Sequence, residues 1–144
     1  MTKVRFYLYA SNPLESVCEL VGNVYRGGHK AAIICPDAGV AQKLDQLLWI
    51  RENTSFIPHV MSNSPLAAET PVVIGLVGEK NWPHTDVLFN IADALPDGYE
   101  RFRVVNEVVG KSETELAPAR IRWKHYKQQQ LTLTKFDAER RIAI

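Results

Sequence analysis

The stretch VRFYLYASNPLESVCELVGNVYRGGHKAAIIC, residues 4–35, contains a complete strand–helix–strand unit. Its two ends, residues 4–10 and 31–35, are apolar runs typical of strands that are buried on both faces. Between them, Asn12 and Pro13 suit the start of a helix, because Asn can cap the first turn and Pro is tolerated within it. A Gly-Gly pair then ends that helix. A strand, a helix and a second strand in this order favour a parallel sheet with crossover connections.

Further apolar runs extend this sheet along the chain. Strands are predicted at residues 71–77 (PVVIGLV), 87–91 and 101–109. The run PVVIGLV is the most strand-like and is expected inside the sheet, while helices are expected from Ala38 and after residues 111–115. We therefore predict one Rossmann-like α/β domain of three layers over residues 1–130, with a mostly parallel sheet between helices on both faces. The tail at residues 131–144 alternates weakly and receives no assignment.

The start of the last helix has two competing features. Ser112 and Glu115 have the spacing of a capping box, which would begin the helix at this point. Pro118 follows too late for the first turn, so we expect it to bend the helix or to move the helix start towards Glu115.

The composition is that of an ordinary globular chain of 144 residues, with 46% hydrophobic residues and a formal net charge of +1. This near-neutral charge argues against a protein that wraps nucleic acid, although a local patch can still contact it. Cys18 and Cys35 match no metal-binding or redox spacing, so we expect two buried thiols in a reducing compartment. No run of about 18 apolar residues occurs, and the chain is expected to be soluble and cytoplasmic, with no membrane contact.

Enzyme motifs are missing where the predicted fold would carry them. The segment GLVGEK at residues 75–80 has too few residues between its glycines for a P-loop, and Asn81 follows its lysine in place of Ser or Thr. The loop after the first strand lacks the glycines of a dinucleotide site, and the histidines have no metal-binding spacing. We therefore expect no cofactor, no metal and no catalytic residue. The alternative, which the fold alone permits, is an enzyme that handles nucleotides or phosphoesters.

The segment RIRWKHYK at residues 120–127 concentrates positive charge and contains no acid. At helical spacing, one face carries Arg120, Trp123, Lys124 and Lys127. An indole bordered by cations suits an acidic peptide that ends in an aromatic residue, or a nucleic-acid backbone. The other interpretation is a half-buried helix whose Trp fills the core while Lys and Arg extend to solvent.

The second helix ends in a continuous apolar run, LLWI at residues 47–50. Consecutive helical positions point around the axis, so one sheet cannot cover all of them. The segment SFIPH at residues 55–59 adds another aromatic side chain after a polar turn. Either this corner is enclosed between the sheet and a loop, or it is an exposed apolar patch that binds a protein partner.

Several segments, in this order along the chain, resemble the chi subunit of bacterial DNA polymerase III, an accessory member of the clamp-loader assembly. The most specific are LDxxLW at 44–49, SFxPH at 55–59 and RxRWxxY at 120–126. Shorter matches are FYL at 6–8, Cys18, YRGG at 25–28, PVVI at 71–74 and Val104-Val105. The resemblance implies a non-catalytic replisome adaptor on a nucleotide-binding-like fold that lacks the nucleotide site.

The resemblance also implies two partners and their contact residues. The psi subunit tethers chi to the clamp loader, and a repair helicase would share its surface, formed by Trp49, Phe56, Leu48 and Pro58. The acidic C-terminal tail of single-stranded DNA-binding protein would bind Arg120, Trp123, Lys124, Lys127 and Val108. An apparent one-residue insertion between Val105 and Arg120 would shift the Val108 role to Val109. No direct sequence-specific binding of nucleic acid is implied.

Overall fold

The computed structural model describes residues 2–50 and 57–144, which form a seven-stranded parallel sheet and three α-helices. The strands are β1 Lys3–Ala10, β2 Ala31–Cys35, β3 His59–Met61, β4 Val72–Leu76, β5 Val87–Asn90, β6 Val104–Gly110 and β7 Thr132–Asp137. The helices are α1 Pro13–Arg26, α2 Ala38–Ile50 and α3 Glu113–Gln128, with short 3-10 turns at Ala67–Glu69 and Tyr99–Arg101.

The strands lie in the order β3-β4-β2-β5-β6-β1-β7, and all neighbouring pairs are parallel. Helix α1 connects β1 to β2, and α2 connects β2 to β3, so both connections lead towards the β3 edge of the sheet. Both helices lie on the same face. The later connections step towards β7 and cross on the opposite face, where α3 packs. Parallel crossovers share one handedness, and this arrangement satisfies it. The predicted three-layer α/β fold is confirmed, and β4 lies inside the sheet as predicted.

The core consists of two apolar clusters, one on each face of the sheet. Val17 and Leu44 belong to the cluster beneath α1 and α2, whereas Tyr126 belongs to the cluster beneath α3. Successive strand residues point to opposite faces, so Val108 of β6 enters the first cluster and Val109 enters the second. A shift of one residue along β6 therefore moves a side chain from one face of the sheet to the other.

The first helix has the ends that its sequence predicts. The Asn12 side-chain oxygen accepts a hydrogen bond from the Glu15 backbone N–H at 3.3 Å, and Pro13 is the first helical residue. Gly28, just past the helix end, has a φ of 83°, a conformation that glycine adopts without strain. Cys18 and Cys35 are both buried and form no disulfide with each other, as expected.

The last helix starts at Glu113, directly after Ser112 as the capping-box spacing predicts, and it runs through Pro118. Ser112 makes no capping bond to the backbone, and its hydroxyl instead donates to the Glu115 carboxylate at 3.1 Å. The predicted shift of the start towards Glu115 is wrong, because the helix begins at Glu113. Pro118 lacks the N–H that would bond to the Thr114 carbonyl; Thr114 lies in the first turn and is exposed, so water can bond to that carbonyl instead.

Two edge strands were not predicted. β3 follows the buried Ile57 and pairs with β4, from His59 opposite Val72 onwards. β7 lies in the tail that the sequence leaves unassigned, and it pairs with β1 from Lys3 opposite Thr132 onwards. The tail thus forms one edge of the sheet, beside α3.

Candidate functional site

A buried ionic network fixes α3 on the sheet. Glu107 of β6 is fully buried, and its carboxylate accepts hydrogen bonds from Arg122 Nε at 3.0 Å and from the Tyr126 hydroxyl at 2.7 Å. The Asn90 side-chain amide donates a third bond at 3.0 Å. Arg122 also donates to the Asp93 backbone carbonyl at 2.7 Å. Two residues of α3 are therefore bonded to the centre of the sheet.

The electrostatics of this network depend on all its members. Burial raises the pKa of Glu107, while the positive charge of Arg122 lowers it, as do the hydrogen bonds to the carboxylate. Burial and the neighbouring Glu107 raise the pKa of Tyr126, so this phenol stays protonated and remains a donor. Sequence reasoning counted Arg122 among the basic residues of its segment and missed its burial. The detectable signal was Glu107, an acid within the apolar run VVNEVV.

The outer side of α3 carries exposed cations. Lys124 and Lys127 are exposed, and so is Arg120, whose guanidinium forms an ion pair with Glu113 through both of its terminal nitrogens. The hydrogen bond to Glu113 raises the pKa of Arg120, and the same bond lowers the pKa of Glu113. Arg120 is thus already oriented towards a carboxylate, at a position that water and other anions can reach.

Trp123 lies at the seam between α3 and β7. Its ring packs edge-on against Phe6, with the ring centroids 5.2 Å apart. The Trp123 side chain is half-buried, so part of it remains accessible to solvent. Lys135 of β7 places its Nζ 5.3 Å from the centroid of the Trp123 ring. The half-buried Leu133 belongs to the same apolar cluster. Sequence reasoning missed Lys135, because it lies in the unassigned tail.

We define the α3 surface by the exposed or half-exposed residues of this region, namely Arg120, Trp123, Lys124, Lys127 and Lys135. Of the residues expected there, Val108 is not brought to it, because its side chain points to the opposite face of the sheet. Val109 shares the cluster of Trp123 but is buried. The one-residue alternative, Val109, therefore lies on the same face of the sheet as α3, where it supports the helix from below and offers no contact area.

The end of α2 exposes part of its apolar run. Trp49 is 58% exposed and Ile50 is 70% exposed, whereas Leu48 is 3% exposed and belongs to the core. Pro58 is half-buried, and Phe56 lies outside the described residues. We define the α2 surface by Trp49, Ile50 and Pro58. Leu48 was expected to contact a partner directly, but the structure places its side chain in the core, beneath the α2 surface.

His59 supports Trp49 from beneath. The two rings meet edge-on with centroids 5.2 Å apart. The imidazole is buried, with Nδ1 2.7 Å from the Ile57 carbonyl and Nε2 3.1 Å from an Asp45 carboxylate oxygen. A side chain held at both ring nitrogens gives the exposed indole a rigid base.

The cleft at the carboxyl ends of β2 and β4 is where an open α/β sheet usually binds its ligand. Its volume is 490 Å³, and of the described residues that line it, Glu79 alone carries a charge. The Trp82 ring packs directly against Gly75, where a Cβ atom would lie only 2.6 Å from the ring. Gly75 therefore accommodates Trp82, and it does not make room for a ligand. Burial raises the pKa of the nearby strand residue Cys35 to about 12, so its thiol is a poor nucleophile. The described residues that line this cleft therefore provide no cation for a nucleotide phosphate.

Neither a three-residue metal centre nor a membrane-spanning helix occurs within residues 2–50 and 57–144. No three His, Cys, Asp or Glu side chains lie close enough together to hold a metal ion. None of the described helices is both long and apolar enough to span a bilayer.

Comparison with known proteins gives a consistent set of matches. The chain matches the family model described as DNA polymerase III chi subunit, HolC, over residues 1–134. DNA polymerase III subunit chi of Haemophilus influenzae is 30% identical over 129 residues, covering 87% of this chain and 90% of the relative. The Pseudomonas aeruginosa subunit is 32% identical over 133 residues, covering 90% and 92%. The Escherichia coli K12 subunit is 29% identical over 113 residues, covering 78% and 77%.

Proposed function

Since the chain belongs to the DNA polymerase III chi subunit family, which consists of replication accessory subunits, we propose that it is a non-catalytic adaptor with two protein-binding surfaces. The α3 surface binds the acidic C-terminal tail of single-stranded DNA-binding protein. The α2 surface binds the psi subunit, and through psi it links the chain to the clamp loader in the cytoplasm. A repair helicase would compete with psi for that same surface.

The chemistry of the α3 surface suits an acidic peptide with a free C-terminus. A guanidinium can bind a carboxylate through two parallel hydrogen bonds, and Arg120 already does so with Glu113. A peptide carboxylate would take the place of Glu113. The exposed part of Trp123 offers apolar area for the terminal side chain, and Lys124 and Lys127 add mobile positive charge.

The α2 surface has the features of an apolar anchor site. Trp49 and Ile50 expose large side chains at a helix end, and the contact of Trp49 with His59 limits its freedom. Large aromatic side chains on rigid supports dominate the affinity of many protein interfaces, because little rotamer entropy is lost on binding. Phe56, which the sequence resemblance assigns to the psi contact, would extend this surface.

The observation that carries the proposal is the separation of the two surfaces. The α2 helix packs on β2, β3 and β4 on one face of the sheet, whereas α3 packs on β6 and β7 on the opposite face. A psi subunit and a tail peptide can therefore be bound at the same time, as a link between two proteins requires.

The test is a titration of a fluorescent tail peptide into the protein alone and into its purified complex with psi. We expect the same affinity in both cases, and weaker binding of a peptide whose terminal carboxylate is amidated. If psi displaces the peptide, the two surfaces are not separate and the adaptor role is contradicted. The enzyme alternative is tested in parallel with a nucleoside triphosphate and Mg²⁺, from which the protein should release no phosphate.

A further inference from the structure

Two arginines differ from the other arginines that the structure describes. The side chains of Arg5 and Arg103 make no hydrogen bond or ion pair with any described residue. The others each bond to a side chain or a carbonyl, or lie close to a carboxylate: Arg26, Arg101, Arg120, Arg122, Arg140 and Arg141. An unpaired guanidinium keeps all of its donors available to a ligand.

Both unpaired arginines line one cleft. This cleft has a volume of 250 Å³ and lies at the amino ends of β1, β5 and β6, on the face that carries α1. Arg5 is half-buried on β1, while Arg103 is exposed just before β6. The location is at the opposite end of the strands from the carboxyl-end cleft, and on the opposite face of the sheet from the α3 surface.

The floor of the cleft contains an unsatisfied polar group. Asn106 is 3% exposed, lies opposite Arg5 in the pairing of β1 with β6, and lines the cleft. Its side-chain oxygen has no hydrogen-bond partner among the described residues. Such groups are rare in folded proteins, and an unoccupied ligand site is one of their explanations. An amide oxygen only accepts hydrogen bonds, so it suits the P–OH of a hydrogen phosphate ion and not an ionised phosphate oxygen.

The charge of the cleft is positive. Asp86 is its only carboxylate among the described lining residues, and that carboxylate already accepts the Lys30 backbone N–H at 2.9 Å, with His29 Nδ1 4.0 Å away. A carboxylate ligand has two oxygens, which one guanidinium can bind in a bidentate manner. A phosphate has enough oxygens for two guanidiniums, so it matches the two arginines better. At about 30 Å³ per water molecule, the volume corresponds to roughly eight waters, which is sufficient for a phosphate and part of an attached group.

From these observations we propose that the cleft between Arg5 and Arg103 binds a phosphate group, either as the free hydrogen phosphate ion, whose P–OH can donate to Asn106, or within a single-stranded nucleic acid backbone. One guanidinium binds the phosphate oxygens from β1, and the other binds them from the turn that precedes β6. Binding in this way reads no base, so it is independent of nucleotide sequence.

The test uses calorimetric titration of the full chain at low ionic strength with inorganic phosphate, with acetate and with a short oligothymidylate. Arg103→Gln should weaken phosphate binding about tenfold, and Arg5→Gln should do the same. Arg103 is exposed, so its variant keeps the fold even if Arg5→Gln does not. Arg140→Gln, an exposed arginine elsewhere, is the matched control and should change nothing.

Each result bears on the proposal. Phosphate binding that is lost in both variants and kept in Arg140→Gln supports it. The oligonucleotide titrations identify which phosphate is the ligand. If the oligonucleotide binds, and the slope of its log affinity against log salt concentration is shallower by about 0.7 in each variant, the ligand is a nucleic acid phosphate. Otherwise the ligand is the free phosphate ion. Absence of phosphate binding, equal binding of acetate, or equal weakening in Arg140→Gln would overturn it. Arg120→Ala must leave phosphate binding intact, which separates this cleft from the α3 surface.

Discussion

Arg120 and Arg122 lie two residues apart on α3 and have opposite surroundings. Arg122 is buried, and its donors are used by Glu107 and by the Asp93 carbonyl. Arg120 is exposed, and it forms its ion pair with Glu113, a neighbour in the same helix. One guanidinium therefore holds the helix in place, whereas the other is available for exchange with an external carboxylate. The comparison shows that a run of basic residues cannot be assigned to binding as a block.

The largest effect is expected at the buried member of the pair. Arg122→Ala should lower the free energy of unfolding by about 3–5 kcal/mol, because it leaves the buried Glu107 carboxylate without its charged partner. Denaturant unfolding followed by circular dichroism measures this change. Arg120→Ala is the matched control on the same helix, and we expect no measurable shift of its unfolding midpoint. Equal effects of the two variants would remove the distinction drawn above.

The pH dependence of Arg122→Ala sharpens the same point. Without Arg122, burial raises the pKa of Glu107 with less opposition, so the folded state retains a proton that the unfolded chain releases. Stability of the variant should therefore fall as the pH rises above the ordinary carboxyl pKa, and its deficit relative to wild type should shrink in acid. A deficit that is independent of pH would show that lost packing, and not a stranded charge, causes the destabilisation.

The α2 helix offers a parallel contrast between Leu48 and Trp49. Trp49→Ala should weaken psi binding by about 2 kcal/mol or more, roughly thirtyfold, with little change in the free energy of unfolding. Leu48→Ala should instead lower the free energy of unfolding by about 2–5 kcal/mol through the cavity that it leaves. Binding measured by calorimetry and unfolding measured by denaturant separate the two outcomes. Unchanged psi binding by a folded Trp49→Ala would remove Trp49 from the interface.

At the exposed arginine, binding should change while stability does not. Arg120→Ala should weaken binding of the tail peptide about tenfold to a hundredfold, because the variant cannot form a charge-assisted hydrogen bond to the carboxylate. Arg120→Lys should recover only part of this affinity, since an ammonium cannot form the two parallel bonds. Added salt should weaken wild-type binding, because the contact is ionic and close to solvent. If wild type and Arg120→Ala bind the peptide equally, Arg120 does not belong to the site.

The sequence predicts the interior of this fold well, because the interior strands have strong local signals. The unit from β1 to β2 is marked at each boundary, by Asn12 and Pro13 at one helix end and by glycines at the other. Edge strands are harder to predict, since one side of each faces solvent. β7 has the sequence TLTKFD with no fully buried residue, and β3 is only three residues long. Neither has the apolar pattern by which strands are recognised.

The candidate surfaces were only partly predictable for related reasons. Helical spacing placed Arg120, Trp123 and the lysines together, but it could not reveal that Arg122 had a buried acid to pair with. The alternation of a strand is strict, so an uncertainty of one residue exchanged Val108 for Val109 and reversed the face. Lys135 was beyond reach, because its position depends on pairing between the tail and the first strand.

The smallest effect is expected at Lys135. Its Nζ lies 5.3 Å from the centroid of the Trp123 ring, at the edge of the surface where the peptide would bind. An exposed ion pair contributes about 0.2–1 kcal/mol, so Lys135→Ala, which removes a cation beside the acidic peptide, should weaken binding of the tail peptide by up to about fivefold. Part of that effect would come from the charge itself, and Lys43→Ala on α2 measures what a remote charge contributes. Equal effects in the two variants would mean that Lys135 acts through net charge alone. A larger effect at Lys135, with Lys135→Met as weak as Lys135→Ala, would show that the ammonium acts locally and that β7 is part of the α3 surface.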